Sequence, residues 1–351
     1  MSRPRALLTA AAATWLIALI ASPAPADMTG LPDGVSPPGA RTLVVALDGT
    51  GQYRSIQEAI DAAQAGDTVW VKAGAYAEDV SIHSKERLRL TGEGADRVSI
   101  LGRKRFGVLH IGKWPYGVTQ VEVSGMTIHE HGGLALGIFN GREVVLRDLE
   151  VKGMLFGQQV RGLRVERCVI GGSETTGIQF ADTVAVLAEN FIHDNDHGVT
   201  IAGESDVRLE RNVITRSLFE GVVVKDRARA TLIRNTIVKN GGGVAFLGNS
   251  LSEASGNIIG FNKVGFLIGP GSEASITYNA LYNSQADYLR EGPSTRHAPE
   301  LKSASDLRVD PGFVNVRRDD FRLGPGSPLR HIGGFPFLGA LAPVPTHPQS
   351  H

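Results

Sequence analysis

Residues 207–246 have the sequence VRLERNVITRSLFEGVVVKDRARATLIRNTIVKNGGGVAF, in which one unit occurs twice. In each copy, alternating apolar residues precede an asparagine, Asn212 or Asn235, and a branched aliphatic residue follows two positions later. A glycine then starts a second alternating stretch. Alternation of apolar and polar residues is typical of half-buried β-strands. The unit therefore predicts short strands joined by turns.

The unit repeats along most of the chain. Asparagines at positions 190, 212, 235, 257 and 279 are separated by 22, 23, 22 and 22 residues, and the apolar frame continues back to Val121, which gives eight consecutive repeats. A period this short leaves no room for a helix between the strands. The sequence therefore predicts an all-β, single-stranded right-handed parallel β-helix with coils about 4.8 Å apart. A leucine-rich repeat fits less well, because it requires a helical side and a leucine-dense consensus.

The repeated asparagines predict a buried ladder. Stacked at one turn of successive coils, each side-chain amide can donate to one neighbour and accept from the other, which satisfies polar groups inside the rod. The equivalent position one coil before Asn190 is Cys168. We therefore expect Cys168 to be a buried small apolar residue and not a nucleophile.

Both ends of the repeat region have sequences that differ from the unit. Ser55-Ile56-Gln57-Glu58 has the pattern of a capping box, and the apolar residues that follow form one helical face, which predicts an α-helical cap near 55–65. We expect one β-helix domain over 41–341, with regular coils at about 80–290 and an irregular C-terminal cap at about 300–341. Residues 342–351 are expected to form a disordered tail.

Residues 1–26 have the features of an export signal: Arg3 and Arg5, an apolar run, and Ala24-Pro25-Ala26 before Asp27. An uncleaved membrane anchor is the alternative. Residues 27–40 are interpreted as a flexible leader. The sequence thus predicts an exported chain, periplasmic or extracellular, with no membrane span after signal cleavage.

Composition excludes several classes of protein. The 351 residues include 36 Lys+Arg and 36 Asp+Glu, and this neutrality argues against a nucleic-acid partner. One cysteine cannot form an internal disulfide. A chain of this length can bury a sizeable core without disulfide bonds. We also expect the protein to be a monomer.

Two segments resemble a known superfamily. Residues 48–76, DGTGQYRSIQEAIDAAQAGDTVWVKAGAY, resemble the opening of pectin lyase-like β-helix proteins, and of pectin methylesterases in particular. The segment DPGFVNVRRDDFRLGPGSPL resembles the end of many exported bacterial β-helix proteins. The Gln-Asp-Thr and Asp-Phe-Ile-Phe-Gly motifs that carry the esterase aspartates are missing, since Gln158-Gln159 is followed by Val160-Arg161. The resemblance implies the fold, and the missing motifs argue against pectinesterase activity.

On a rod, a ligand must bind to an outer face. If the aliphatic residues after each repeat glycine point inward, polar outward positions are confined to the middle coils: Gln159, Arg161, Gln179, Thr200 and Lys225. The turn entering the same sheet is also most polar there, with the sequence His193-Asp194-Asn195-Asp196-His197. We expect these groups to converge on one cleft.

Such a set suits β-elimination or epimerisation of a uronate sugar, which requires a base for the C5 proton and a cation for the carboxylate. Arg161, or Ca²⁺ held by Asp194 and Asp196, would bind the carboxylate. Lys225 or His197 would be the base. Glycan contacts are predicted for the remaining candidates: Gln159, Gln179, Thr200 and Arg227.

Each of these residues also has a structural interpretation. Aspartates in a tight turn commonly hydrogen-bond to their own backbone. Lys225-Asp226-Arg227 can simply be a solvated strand end that deters edge pairing.

Two function classes follow. The first is an exported lyase or C5-epimerase of an acidic glycan that contains uronate. The second is a non-catalytic glycan-binding or structural protein of the envelope or surface. A periplasmic helper in metal-enzyme maturation is a third and more distant possibility.

Overall fold

The computed structural model describes residues 39–102, 107–292, 296–297 and 302–344. The predicted signal peptide, most of the predicted leader and residues 345–351 lie outside this range. The described residues contain no helix with the length and hydrophobicity of a membrane span.

The chain winds through three sheets in every coil, and neighbouring coils pair in parallel. The first sheet, sheet A, contains eleven successive strands, with the short strands Val118–Thr119 and Gly141–Arg142 beside them. The eleven strands of sheet A are Thr42–Val45, Thr68–Val71, Arg89–Gly92, Glu122–Ser124, Val145–Arg147, Arg161–Glu166, Val184–Ala188, Asp206–Glu210, Arg229–Ile233, Leu251–Ser255 and Glu273–Thr277.

Sheets B and C follow sheet A in each coil, and two long strands, Thr127–Phe139 and Glu150–Gln158, run through both. The other strands of sheet B are Gly74–Tyr76, Val98–Leu101, Val169–Gly171, Phe191–His193, Val213–Thr215, Thr236–Val238, Ile258–Gly260, Ala280–Tyr282 and Leu307–Arg308. The other strands of sheet C are Val80–Ile82, Leu109–Ile111, Thr176–Ala181, His197–Ala202, Glu220–Val224, Gly242–Phe246, Val264–Ile268 and Ala286–Arg290, with Arg296–His297 added in antiparallel orientation.

The predicted parallel β-helix is confirmed, but the count of eight repeats is too low. The three N-terminal strands of sheet A have no asparagine and little resemblance to the repeat, yet they pair in register with the rest. Inward aliphatic side chains from all three sheets fill the rod. Within one coil, Leu209, Ile214 and Val222 have no exposed surface.

The predicted asparagine ladder is also confirmed. All five asparagines are fully buried, and each of the first four donates its side-chain amide to the side-chain oxygen of the next at 2.9–3.0 Å. The last one, Asn279, donates to Asp306, whose other carboxylate oxygen accepts from the Tyr288 hydroxyl. Asp306 suits the final position because it only needs to accept, since no further asparagine follows.

A second ladder runs parallel to the first at the corner between sheets B and C. Asn240 donates to Asn262 at 3.3 Å, and Asn262 donates to Asn283 at 3.1 Å. Asn195 holds the same position two coils before Asn240, and Ser217 stands between them. These side chains are spaced by 21–23 residues in the sequence, but the predicted ladder includes only the first column of asparagines.

The N-terminal cap is the α-helix Ile56–Ala62, which buries Ile56, Ala59 and Ile60. Ser55 accepts from the Glu58 N–H at 3.3 Å, as a capping box predicts. The carboxylate that returns to the helix start belongs to Glu78, which accepts from the Ile56 N–H at 2.8 Å. This contact ties the helix to the coil beneath it.

The closing segment, residues 309–341, folds back along the outside of sheet B. Its two hairpins pair Phe313–Asn315 with Asp320–Leu323 and Arg330–Ile332 with Phe335–Phe337. Their apolar side chains cover a column of outward sheet B residues, and together they form a second buried cluster. That cluster includes Val169, Phe191, Val213, Val238, Ile258, Phe321, Leu323, Leu329 and Leu338. The closing segment therefore covers the outer face of sheet B from Val169 to Ile258, which favours sheets A and C as the faces that contact a ligand.

Candidate functional site

The outer face of sheet A is occupied by ion pairs between opposite charges. Arg211 pairs with Glu189 on the preceding coil at 2.6 Å, and Arg167 pairs with Asp148 at 2.9 Å. Glu122 pairs with both Arg147 and Arg89. Charges that neutralise one another in this way solubilise a sheet face and leave little net field for a ligand. Sheet C is the better candidate.

The outer face of sheet C carries its polar residues in three columns that run along the rod. In the first column, His197 precedes Glu220 on the next coil. The second column contains Gln179, Thr200 and Val223 in direct register. The third column contains Gln158, Ala181 and Ala202, and Lys225 follows on the next coil. We call this surface, over residues 176–181, 197–202 and 220–225, the sheet C site.

The floor of the sheet C site is formed by short side chains. Thr200 is 9% exposed and Val223 is 7% exposed, although both point away from the core. Polar character ends there, because the next two residues of the second column are Ala245 and Leu267. The prediction that polarity is confined to the middle coils is therefore correct for Gln179, Thr200 and Lys225.

Gln159 and Arg161 are not part of this surface, and their predicted placement is wrong. Leu155 aligns with Ile178, and Gln158 aligns with Ala181, so Gln159 falls at the corner with a φ of 54°. Arg161 begins the next strand of sheet A. Gln159 stands two residues after Gly157, as Gln179 stands two residues after Gly177, but the strands pair Gln179 with Phe156, three residues before Gln159. Gly157 instead lies where a side chain would meet the ring of Phe180, 2.9 Å away.

His197 and Glu220 form a side-chain pair at one side of the sheet C site. The His197 Nε2 lies 3.3 Å from the Glu220 Oε2, and both side chains are about one-third exposed. The hydrogen bond from His197 lowers the pKa of Glu220 below its ordinary value, against the opposing effect of burial. The His197 ring also stacks on Phe219, with centroids 5.1 Å apart. The imidazole is therefore held from two directions.

Asp194 turns away from the sheet C site. Both of its oxygens accept from Arg216, at 2.8 and 2.7 Å, and one accepts from His193 at 2.7 Å. Burial would raise the pKa of Asp194, but these hydrogen bonds outweigh it and hold the pKa well below its usual range. Arg216 also pairs with Asp319 of the closing segment. This cluster fastens the closing segment to the rod.

The described residues contain no group of three or more His, Cys, Asp and Glu side chains arranged to hold a metal ion. At the predicted Ca²⁺ ligands Asp194 and Asp196, a cation would have to displace the Arg216 guanidinium. Asp196 lies half-buried on the same turn, and its carbonyl oxygen accepts from the Phe219 N–H at 2.8 Å. The calcium site remains a prediction that this geometry does not favour.

Lys225 and Arg227 lie at the strand end that leaves the sheet C site. Lys225 is exposed, and its backbone N–H donates to Ile201 at 2.9 Å. Arg227 pairs with Glu204 at 2.7 Å, and both side chains are largely exposed. An exposed pair of this kind contributes little to stability and can exchange for a ligand.

A separate cleft of about 480 Å³ lies near the N-terminal helix, lined by Leu47, Arg54, Tyr76 and Glu78 among others. Its carboxylate, Glu78, already accepts from the Ser55 hydroxyl and the Ile56 and Gln57 N–H groups. Because Glu78 serves as a helix cap, its carboxylate is already engaged, and this cleft offers less reactive chemistry than sheet C.

Cys168 is fully buried, as predicted, and burial raises the pKa of its thiol to about 12. A thiol with this pKa is not a nucleophile near neutral pH.

Two family models match parts of the chain. One, described as pectinesterase, matches residues 42–126, and the other, described as periplasmic copper-binding protein (NosD), matches residues 145–296. The first matched segment covers the N-terminal coils of the rod, and the second covers the coils that follow.

Curated relatives are matched over part of their length. Probable pectinesterase/pectinesterase inhibitor 17 of Arabidopsis thaliana is 35% identical over 94 residues, which are 24% of this chain and 18% of that protein. Probable pectinesterase/pectinesterase inhibitor 23 of Arabidopsis thaliana is 23% identical over 301 residues, which are 78% of this chain and 50% of that protein. The chain spans half or less of each of these relatives.

Solved structures share the architecture at low sequence identity. Pectate lyase Pel9A superimposes with a TM-score of 0.52 at 14% identity, covering 87% of this chain and 96% of that chain. XylC in complex with xylose gives a TM-score of 0.53 at 10% identity, covering 72% of each chain. These similarities show the fold.

Proposed function

Because the chain has a pectin lyase-like parallel β-helix fold, we propose that it acts on a uronate-containing glycan, as a lyase or a C5-epimerase, at the sheet C site. The glycan lies along the rod axis over the second and third columns, where the floor is flat and short-chained. Similarity to a pectate lyase and to pectinesterases supports the substrate class, and the residues of this chain support the chemistry.

The observation that carries the proposal is the His197–Glu220 pair on the uncovered face. When Nε2 holds the proton that is donated to Glu220, the lone pair of the imidazole is on Nδ1. His197 can then remove the C5 proton of a uronate sugar as a general base, and Glu220 acts as its positioning residue. Such a base contributes about 10²–10⁴-fold to the rate.

Lys225 is assigned to the sugar carboxylate. It lies five strand positions beyond Glu220, roughly 16 Å away along the strand. That separation leaves room for a sugar ring between an imidazole on one side and an ammonium group on the other. The positive charge lowers the activation barrier for removal of the C5 proton, because it stabilises the carbanionic transition state. The sequence predicts this role for Arg161 or for Ca²⁺ bound by Asp194 and Asp196, but Arg161 lies on sheet A.

The proton and electron balance distinguishes the two reactions. In elimination, the C5–H electron pair forms the C4–C5 double bond, the C4–O bond breaks, and the departing oxygen takes a proton from water. In epimerisation, no bond to C4 breaks, and a proton returns to C5 from the opposite face of the ring. A single base beside the sheet C site is sufficient for elimination, whereas epimerisation requires a second proton donor.

A non-catalytic glycan-binding function is the second candidate. It is favoured by the apolar continuation of the floor through Val223, Ala245 and Leu267, which would accept a sugar ring without reacting with it. Gln179, Thr200 and Arg227 would then supply hydrogen bonds to hydroxyl groups.

A copper-binding function, suggested by the match to residues 145–296, is not supported by the side chains. Within the described parts of the chain, no cluster of histidine, cysteine and carboxylate ligands has a metal-binding arrangement, and Cys168 is sealed in the core. We therefore assign no copper-dependent step.

We also propose that the protein is exported to the periplasm or beyond the cell. The support is the pattern of Arg3 and Arg5, an apolar run and Ala24-Pro25-Ala26. N-terminal sequencing of the protein recovered from the periplasmic or culture fraction tests this directly, and a start at Asp27 is expected.

The catalytic proposal is tested by incubating the purified protein with pectate, alginate and glycosaminoglycans, with and without Ca²⁺. Absorbance of the unsaturated product detects elimination, and incorporation of solvent deuterium at C5 detects epimerisation. His197→Gln should lower the rate about 100-fold or more while the melting temperature stays unchanged. Glu220→Gln should lower the maximal rate with little change in KM.

Lys263→Ala is the matched control for Lys225→Ala. Lys263 is also an exposed lysine beside sheet C, but it lies two coils further along, on the turn before Val264. Loss of activity in Lys225→Ala with full activity in Lys263→Ala supports the assignment. Binding of a glycan without either reaction would favour the second candidate, and no binding at all would refute both.

A further inference from the structure

Three aromatic rings lie side by side on the outer face of sheet C, upstream of the sheet C site. The His110 and Phe139 ring centroids are 6.2 Å apart, and those of Phe139 and Phe156 are 5.7 Å apart. Gly137 makes this arrangement possible, because a Cβ at that position would lie 2.7 Å from the Phe139 ring. The ring of Phe139 therefore lies across its own strand. We call these three residues the aromatic strip.

The aromatic strip and the sheet C site form one continuous surface. Strand register places Phe156 opposite Gln179 and Gln179 opposite Thr200. Phe139 is likewise opposite Gln158, which is exposed. A ligand that follows the second and third columns therefore passes from polar side chains onto aromatic rings without crossing a corner of the rod.

A short loop stands at the edge of the aromatic strip. It contains Trp114 and Tyr116, which are 75% and 60% exposed, and the Lys113 ammonium group lies 5.8 Å from the centre of the Tyr116 ring. The loop is closed by a backbone hydrogen bond, in which the Lys113 N–H donates to the Tyr116 carbonyl oxygen at 2.9 Å. Asn140 donates to the Pro115 oxygen at 2.8 Å and fixes the loop to the next coil.

We propose that the aromatic strip and this loop form a second sugar-binding subsite, which holds the non-reacting part of a uronate oligosaccharide bound at the sheet C site. The inference rests on the proposed function. The apolar faces of sugar rings pack on Phe139 and Phe156, and Lys113 supplies a positive charge for a carboxylate.

The spacing between coils sets the length of glycan that can use this subsite. Phe139 and Lys225 are four coils apart, roughly 19 Å along the rod. An oligosaccharide that fills only the sheet C site reaches no further than Phe156, which lies opposite Gln179, whereas a longer one also contacts Phe139 and the loop. The subsite should therefore select for chain length.

The test compares tri- and octasaccharides of galacturonate and of mannuronate as probes, with dissociation constants measured by calorimetry. Trp114→Ala and Phe139→Leu should weaken octasaccharide binding about three- to tenfold and leave trisaccharide binding unchanged. Phe139→Leu retains most of the apolar volume, and thermal melting verifies that it folds. Tyr282→Ala removes an aromatic ring that is 42% exposed on sheet B, and it should bind both probes normally.

The outcomes separate this inference from the proposed function. If Trp114→Ala and Phe139→Leu both bind the octasaccharides as the unmodified protein does, the subsite is refuted while the sheet C site stands. If the unmodified protein binds no probe of either length, the proposed function fails and the subsite fails with it. A length-independent loss in His197→Gln would support the sheet C site alone.

Discussion

The side-chain amide of Asn235 donates to the side-chain oxygen of Asn257 at 3.0 Å in the dry interior of the rod. The same amide donates to the Leu209 carbonyl, and the Asn235 oxygen accepts from both the backbone and the side chain of Asn212. Every polar atom of this side chain is therefore used to join coils. A ladder of such contacts fixes the register on which the placement of the sheet C site depends.

Asn235→Ala should strongly destabilise the rod. The substitution leaves the Leu209 carbonyl and the Asn212 donors without partners, and each buried unpaired group costs about 1–3 kcal/mol. We expect the free energy of unfolding in urea to fall by about 3 kcal/mol or more. Asn249→Ala, at an exposed turn, should change it little. Equal stability of the two variants would mean that the ladder does not hold the coils together.

Ser217→Asn should stabilise the protein. Ser217 interrupts the second ladder, and the amide nitrogen of Asn195 and the hydroxyl of Ser217 are both buried without hydrogen-bond partners. An asparagine at position 217 would accept from Asn195, as Asn262 accepts from Asn240, and the neighbouring Gly198 leaves space for it. The expected gain in unfolding free energy is about 1 kcal/mol. A loss of stability would show that this corner cannot accommodate the longer side chain.

The Asp194–Arg216 pair predicts a defined dependence of stability on pH. The pKa of Asp194 is lower in the folded protein than in the unfolded chain, where it is about 3.9. Its stabilising effect is therefore complete above about pH 5 and is lost as the pH falls through the unfolded and then the folded pKa. Unfolding free energies of the unmodified protein and Asp194→Asn should converge as the pH falls below about 5. A difference that grows below pH 5 would contradict this assignment.

Cys168 should be inert in the folded protein. Burial raises the pKa of its thiol to about 12 and excludes reagents from the sulfur. Labelling by a thiol-specific disulfide reagent should be negligible under native conditions and complete in denaturant. Rapid labelling of the native protein would show that the coil around Cys168 opens.

The repeat made most of the fold predictable. Positions such as Asn212 and Asn235 recur at a nearly constant interval, which places them at the same point of successive coils. The stacking of the asparagines and the inward direction of the aliphatic residues can therefore be predicted from the sequence interval. The repeat glycine gives the wrong register at Gly157, because this glycine accommodates the Phe180 ring and does not mark the start of a strand. The predicted positions of Gln159 and Arg161 were wrong for this reason.

The candidate site was only partly predictable, because its contacts cross between coils and segments that are distant in sequence. Nothing in the local sequence indicated that Asp194 would pair with Arg216 or that Arg216 would pair with Asp319. Nor did it show that the closing segment would cover sheet B and leave sheet C exposed. The pairing of His197 with Glu220 required the register of two neighbouring strands.

Amide hydrogen exchange in the presence of a saturating uronate oligosaccharide reports which strands the ligand covers. We expect added protection in Thr176–Ala181, His197–Ala202 and Glu220–Val224, with none in the sheet A strands of the same coils. Protection confined to sheet A or to the N-terminal cleft, or no protection anywhere, would contradict this expectation.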